Sequence, residues 1–161
     1  MRVKNLEKQK SARAVARITV DQDPQGLVIN EHTNRIYVPS ASNNTVTVIS
    51  ANRNKIVKRV NVGSFPSRAA VNPNTNHIYV TNSGDYTVSV IHGHSNQVIS
   101  TIRVGQEPLD VIVNRRFGKV YVANHLGDSI SVIKGGSLLK TIQHIDEPSV
   151  LAHNSVTNQI F

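Results

Sequence analysis

The sequence predicts an all-β fold: a β-propeller of four-stranded antiparallel blades, with about three and a half repeats of about 42 residues forming an incomplete ring. Three observations carry this expectation. Pro24, Pro66, Pro108 and Pro148 stand 42, 42 and 40 residues apart. The wording after each proline recurs, as "PQGLVINEHTNRIYV", "PSRAAVNPNTNHIYV", "PLDVIVNRRFGKVYV" and "PSVLAHNSVTNQIF". Within each full copy, four short runs of β-branched residues alternate apolar with polar and are separated by Asn, Gly, Pro and Ser, the pattern of strands joined by tight turns.

The elements follow in order from that pattern. An Asn stands six residues after each proline (Asn30, Asn72, Asn114, Asn154) and an aromatic thirteen after (Tyr37, Tyr79, Tyr121, Phe161). In the second copy the strands are expected at Arg68–Val71, His77–Thr81, Thr87–Ile91 and Gln97–Val104. "NTVTVIS", "YTVSVIH" and "DSISVIK" are the third strands, and "KIVKRVNVG" and "QVISTIRVG" the fourth, with "SLLKTIQHI" a shortened version. "ARITVDQDP" matches "STIRVGQEP", so Ala16–Val20 reads as the fourth strand of a preceding blade. No window carries a helical stripe. The repeated tyrosines are expected to pack between blades, because one blade cannot bury its face alone.

The literal "IYVTN" at Ile78–Asn82, with "IYVPS" and "VYVAN" in neighbouring copies and the "VG…P" junctions, resembles the YVTN family of β-propeller repeats. The resemblance spans about Ala14 to Phe161. It implies residues 14–161 as a partial propeller. It also implies an extracytoplasmic setting, in the periplasm or at the cell surface, and kinship with lactonase-like propeller enzymes. The repeat itself carries no catalytic residues to transfer.

Composition narrows the chemistry. With no cysteine, disulfides, thiolate nucleophiles and Cys-based metal sites are excluded. No run of about 18 apolar residues is present to span a membrane as a helix, and the opening twenty residues lack the apolar core of a secretory signal. The formal charge of +8 favours acidic partners. Arg2, Lys4, Lys8, Lys10, Arg13 and Arg17 oppose only Glu7, and residues 1–13 read as a solvated, disordered basic leader.

Loop charges sort by face. In a propeller, the loops from second to third strand and from fourth strand to the next blade open on one side. That side holds Asp23, Asp85, Glu107, Asp110, Asp128 and Glu147, a candidate acidic mouth, together with Asp21 and Asp146, against Arg68 alone. The opposite side holds Arg35, Arg53, Lys55, Arg115, Arg116, Lys119 and Lys134 against Glu31, a candidate polyanion-binding face. Phe117 is the one aromatic there outside the repeat framework, too little for a base-stacking surface.

No catalytic residue, cofactor or metal ligand is assigned. His32 and His77 fall at non-equivalent turn positions of adjacent blades, and with His92 and His94 of "HGH" they read as solvated loop histidines. No strained Ser nucleophile motif, phosphate loop or dinucleotide fingerprint is present. The expected role is a non-enzymatic interaction or surface module whose open ring is completed by a protein partner or a second copy. The alternatives are a lactonase-like hydrolase with a cation at the acidic mouth, on fold analogy alone, and polyanion or nucleic-acid binding through the basic face.

Overall fold

A computed structural model describes residues 16–161, so the basic leader lies outside the described residues. Three four-stranded antiparallel sheets follow one another along the chain. Blade 1 is β1 (Val28–Asn30), β2 (Arg35–Ser40), β3 (Thr45–Ser50) and β4 (Lys55–Asn61). Blade 2 is β5 (Pro66–Asn72), β6 (His77–Asn82), β7 (Thr87–His92) and β8 (Gln97–Arg103). Blade 3 is β9 (Pro108–Asn114), β10 (Lys119–Asn124), β11 (Ser129–Lys134) and β12 (Ser137–Gln143). A hairpin of β13 (His153–Asn154) and β14 (Gln159–Ile160) begins a fourth. Apart from one 3-10 turn at Ala41–Asn43, the described residues contain no helix. The strands of the second copy fall within two residues of their expected limits.

Ala16–Val20 departs from expectation, because it joins no sheet. A fourth strand exists by pairing with the third strand of its own blade, and no described residue supplies that third strand. The segment is held to blade 1 instead through Asp21, which accepts from Thr45 Oγ1 and Arg59 Nε at 2.7 Å each. These bonds, the Thr45 hydroxyl first, keep the Asp21 carboxyl below its ordinary pKa.

The core lies between blades. Tyr37, Val46, Val48 and Val60 of blade 1 pack on Ile78, Val80 and Ile91 of blade 2. One repeat on, Tyr79, Val88, Val90 and Ile102 pack on Val111, Val120, Val122 and Ile133 of blade 3. Each fully buried Val or Ile here contributes about 1.5–3 kcal/mol. Alternation explains the arrangement, since one set of side chains on a strand serves the junction ahead and the other the junction behind.

The hairpin turns at one end of the blades use left-handed backbone at Asn34, Asn54, Asn76, Asn96 and Asn158, with Gly118, Gly135 and Gly136 in blade 3. Asn and Gly are the residues that adopt this conformation cheaply. At the other end, the residue before each of the four repeat prolines, Pro24, Pro66, Pro108 and Pro148, is also left-handed: Asp23, Phe65, Glu107 and Glu147. In three blades its carbonyl accepts the amide that opens the loop between second and third strands, from Ala41, Ser83 and His125 at 2.9–3.0 Å. Because the strain recurs in every blade, it belongs to the architecture.

The outermost strand of every blade carries a bulge at the same place, opposite Val48/Ile49, Val90/Ile91 and Val132/Ile133. Val57, Ile99 and Leu139 are the extra residues, each 44–53% exposed. Bulges of this kind interrupt an edge that would otherwise pair with another sheet.

Candidate functional site

The basic face is assembled from the turns that join first to second and third to fourth strands. Arg35, Lys55 and Lys119 open strands β2, β4 and β10, Lys134 closes β11, and Arg53, Arg115 and Arg116 stand on turns. Among the described residues the one ion pair is Asp21 with Arg59 on the opposite face. None of the seven basic side chains therefore has a carboxylate partner among the described residues. Lys119 and Lys134 are direct cross-strand neighbours, a like-charge pairing that costs stability unless an anion neutralises it.

Arg115 is central to this face. It lines a cleft of about 350 Å³ with Glu31, His32 and Asn74, and a second of about 420 Å³ with Arg116, His153 and Ser155. Its carbonyl accepts from Asn74 Nδ2 at 2.8 Å, tying blades 2 and 3. Asn114 Oδ1 accepts the Arg116 and Phe117 amides, which shapes the turn, and the Arg116 guanidinium lies 5.4 Å from the Phe117 ring centre.

The acidic face is more heavily committed to structure. Asp85 Oδ1 accepts the Ser64 amide at 2.8 Å, Asp128 Oδ1 the Glu147 amide at 3.2 Å, and Asp110 Oδ2 the Leu151 amide at 2.8 Å. Asp23 holds Gln25 Nε2 at 2.6 Å. Glu107 is half-buried and Glu147 exposed. A mouth cleft of about 270 Å³ is lined by Gln25, Ser67, Arg68, Asp110 and Ser149 among others. Arg68 donates there to the carbonyls of Gln25 and Ser67. The mouth thus joins one acid from the sorted set to Arg68, the one base among the loop charges of that face. The loop Ser83–Tyr86 clamps the preceding interblade loop through the Ser83, Gly84 and Asp85 bonds to Ser64 and Phe65.

His77, His92 and His94 stand in a row. His77 begins β6 directly opposite His92, with ring centres 6.0 Å apart, and His94 lies 5.9 Å from His92. Burial, and then the His92 imidazole, hold His77 below the ordinary histidine pKa, so it is neutral at pH 7. No group of three or more His, Asp or Glu among the described residues is placed to hold a metal ion.

One cleft was not anticipated from the sequence. It opens between blades 2 and 3 on the basic face, about 300 Å³ in volume, lined by Asn72, His77, Tyr79, Val90, Ile99, Ser100 and the glycines 118, 135 and 136. The signals that mark it are the two-residue shortening of the third copy and Gly118 standing where its neighbours have Asn.

No protein-family model and no curated protein matches the chain, whereas solved structures match it closely in shape. Hydrazine synthase of Kuenenia stuttgartiensis superposes with a TM-score of 0.74 at 23% identity, over 85% of this chain and 40% of that one. The WD40 β-propeller domain of Doa1 gives 0.70 at 14% identity, over 85% and 46%. The fold is that of a β-propeller. The propeller likeness extends to the dihydro-heme d1 dehydrogenase NirN in complex with DHE, at 0.73 and 14% identity over 87% and 32%. The chain spans less than half the length of each of these propellers. Two of the three are named as enzymes and one as a WD40 domain, so the likeness defines architecture alone.

Proposed function

We propose that the chain is a non-enzymatic interaction module, a row of propeller blades that completes its ring with a second copy. The carrying observation is apolar surface at both ends of the row. In blade 2, Val71 packs toward blade 1. Its counterpart Ile29 is 52% exposed and Leu27 is 64% exposed. At the far end Tyr121, the counterpart of buried Tyr37 and Tyr79, is half-buried, and Val150, Val156 and Phe161 are 69–88% exposed. Such a surface is what a neighbouring blade covers. Closed propellers contain about four to eight blades, a count that two rows of this length fall within. The resemblance to YVTN repeats supports an extracytoplasmic setting. Light scattering is expected to give twice the mass of one chain, reverting to one on dilution or in Ile29→Asp. A monomer that unfolds cooperatively at all concentrations would overturn the reading.

A second reading rests on the unpaired cations: the basic face binds a polyanion. Retention on heparin is expected to fall steeply with salt, and further when Arg115, Arg116 and Lys119 are replaced by Gln. Removing three phosphate-type contacts lowers the slope of log affinity against log salt by roughly 2–3. Unchanged retention would sink the idea.

A further inference from the structure

An Asn–Asn hydrogen bond between blades repeats on the basic face, and the junction of blades 2 and 3 lacks it, although Asn74 still donates there to the Arg115 carbonyl. Between blades 1 and 2, Asn30 Nδ2 donates to Asn76 Oδ1 at 2.6 Å, and Tyr37 Oη donates to Asn96 Oδ1 at 2.9 Å and to the Gly93 carbonyl at 3.2 Å. Between blade 3 and the last hairpin, Asn114 Nδ2 donates to Asn158 Oδ1 at 2.7 Å. At the junction of blades 2 and 3 the corresponding donors are Asn72 and Tyr79. Gly118 occupies the Asn76 position, and the third–fourth strand turn shrinks to Gly135–Gly136 where blade 2 has Gly93 and Asn96.

Both donors remain. Asn72 is 1% exposed and Tyr79 is 4% exposed. Asn72 Oδ1 accepts the Asn74 amide at 3.1 Å, which orients the side chain and leaves its NH₂ without a partner among the described residues. The Tyr79 hydroxyl is also without one. Both side chains line the 300 Å³ cleft, a volume at the lower limit of small-molecule sites.

The missing partners are oxygen acceptors, and this defines the ligand. We propose that the cleft binds a small organic carboxylate, whose two oxygens take the places of the Asn76-type and Asn96-type carboxamide oxygens. Its apolar body rests on Val90 and Ile99. His77 and Ser100 offer further polar contacts in the wall. The site goes beyond ring completion and does not depend on it, since every lining residue comes from blades 2 and 3.

The test uses the full chain, ¹⁵N-labelled, titrated with hexanoate and benzoate and, as controls, hexanol and benzyl alcohol. The acids are expected to shift the Asn72 side-chain amide signal saturably, and the alcohols are not. In Gly118→Asn the missing oxygen is returned to the protein. Gly118 has φ 62° and open space at its Cβ position, and Asn76 and Asn158 adopt the same backbone, so the variant should fold normally. It is expected to weaken acid binding at least tenfold. Tyr79→Phe is the second variant; losing a hydrogen bond to a charged group is worth about tenfold or more in affinity. Absence of a saturable shift, equal shifts by acid and alcohol, or undiminished binding by folded Gly118→Asn and Tyr79→Phe would each overturn the proposal.

Discussion

Gly105→Asp should destabilise the protein by about 2–3 kcal/mol in urea denaturation, the scale of overpacking a well-filled core. A Cβ at Gly105 would lie 2.7 Å from the Cγ and Nδ2 of Asn124, which is fully buried and donates to Ser129 and Ser131 at 3.0–3.1 Å. Gly63 meets Asn82 in the same way one blade earlier. Blade 1 solves the problem differently. There the glycine position is Asp21 and the asparagine position is the smaller Ser40, and the Asp21 carboxylate takes the Thr45 hydroxyl that an asparagine amide serves elsewhere. Adding Asn124→Ser to Gly105→Asp should therefore recover most of the loss. The coupling between the two changes is expected to be about 1–3 kcal/mol. Additive effects would show that the two positions do not share one space.

The second large effect separates two residues that the repeat makes look identical. Tyr37→Phe should cost about 1–3 kcal/mol, because it leaves Asn96 Oδ1 and the Gly93 carbonyl unpaired at a buried site. Tyr79→Phe should cost ~0.5 kcal/mol or less, since its hydroxyl has no acceptor to abandon among the described residues. Thermal unfolding of the pair of variants measures the difference. Equal losses would mean that Tyr79 has a partner equivalent to that of Tyr37.

This contrast also shows how far the residues alone could be read. Strands β5 to β8 were legible because alternation at period two survives any choice of partner, and Tyr37 and Tyr79 were legible as interblade residues because their position repeats. What composition could not show was the use made of loop acids. Asp85, Asp110 and Asp128 count as negative charges in a sequence, while in the fold each accepts a backbone amide from a neighbouring loop. His77 was legible as the start of a strand, whereas its place directly opposite His92 is set by the register of two strands. Ala16–Val20 has strand wording and no ladder, because pairing is a property of two segments. The cleft between blades 2 and 3 was hidden for a similar reason. A loop two residues shorter reads as a difference in length, and its chemical meaning emerges only beside the donors it no longer satisfies.

The bulged outer strands bear on assembly. With β4, β8 and β12 each interrupted at the same point, lateral growth sheet to sheet is discouraged, and the association proposed above would use the two ends of the row. Those ends differ, one presenting Leu27 and Ile29 and the other Val156 and Phe161. An interface between unlike surfaces is head-to-tail, and it either closes on itself or winds on as an open helix. The rotation from one blade to the next decides which, so a change in blade tilt would alter symmetry before it altered affinity.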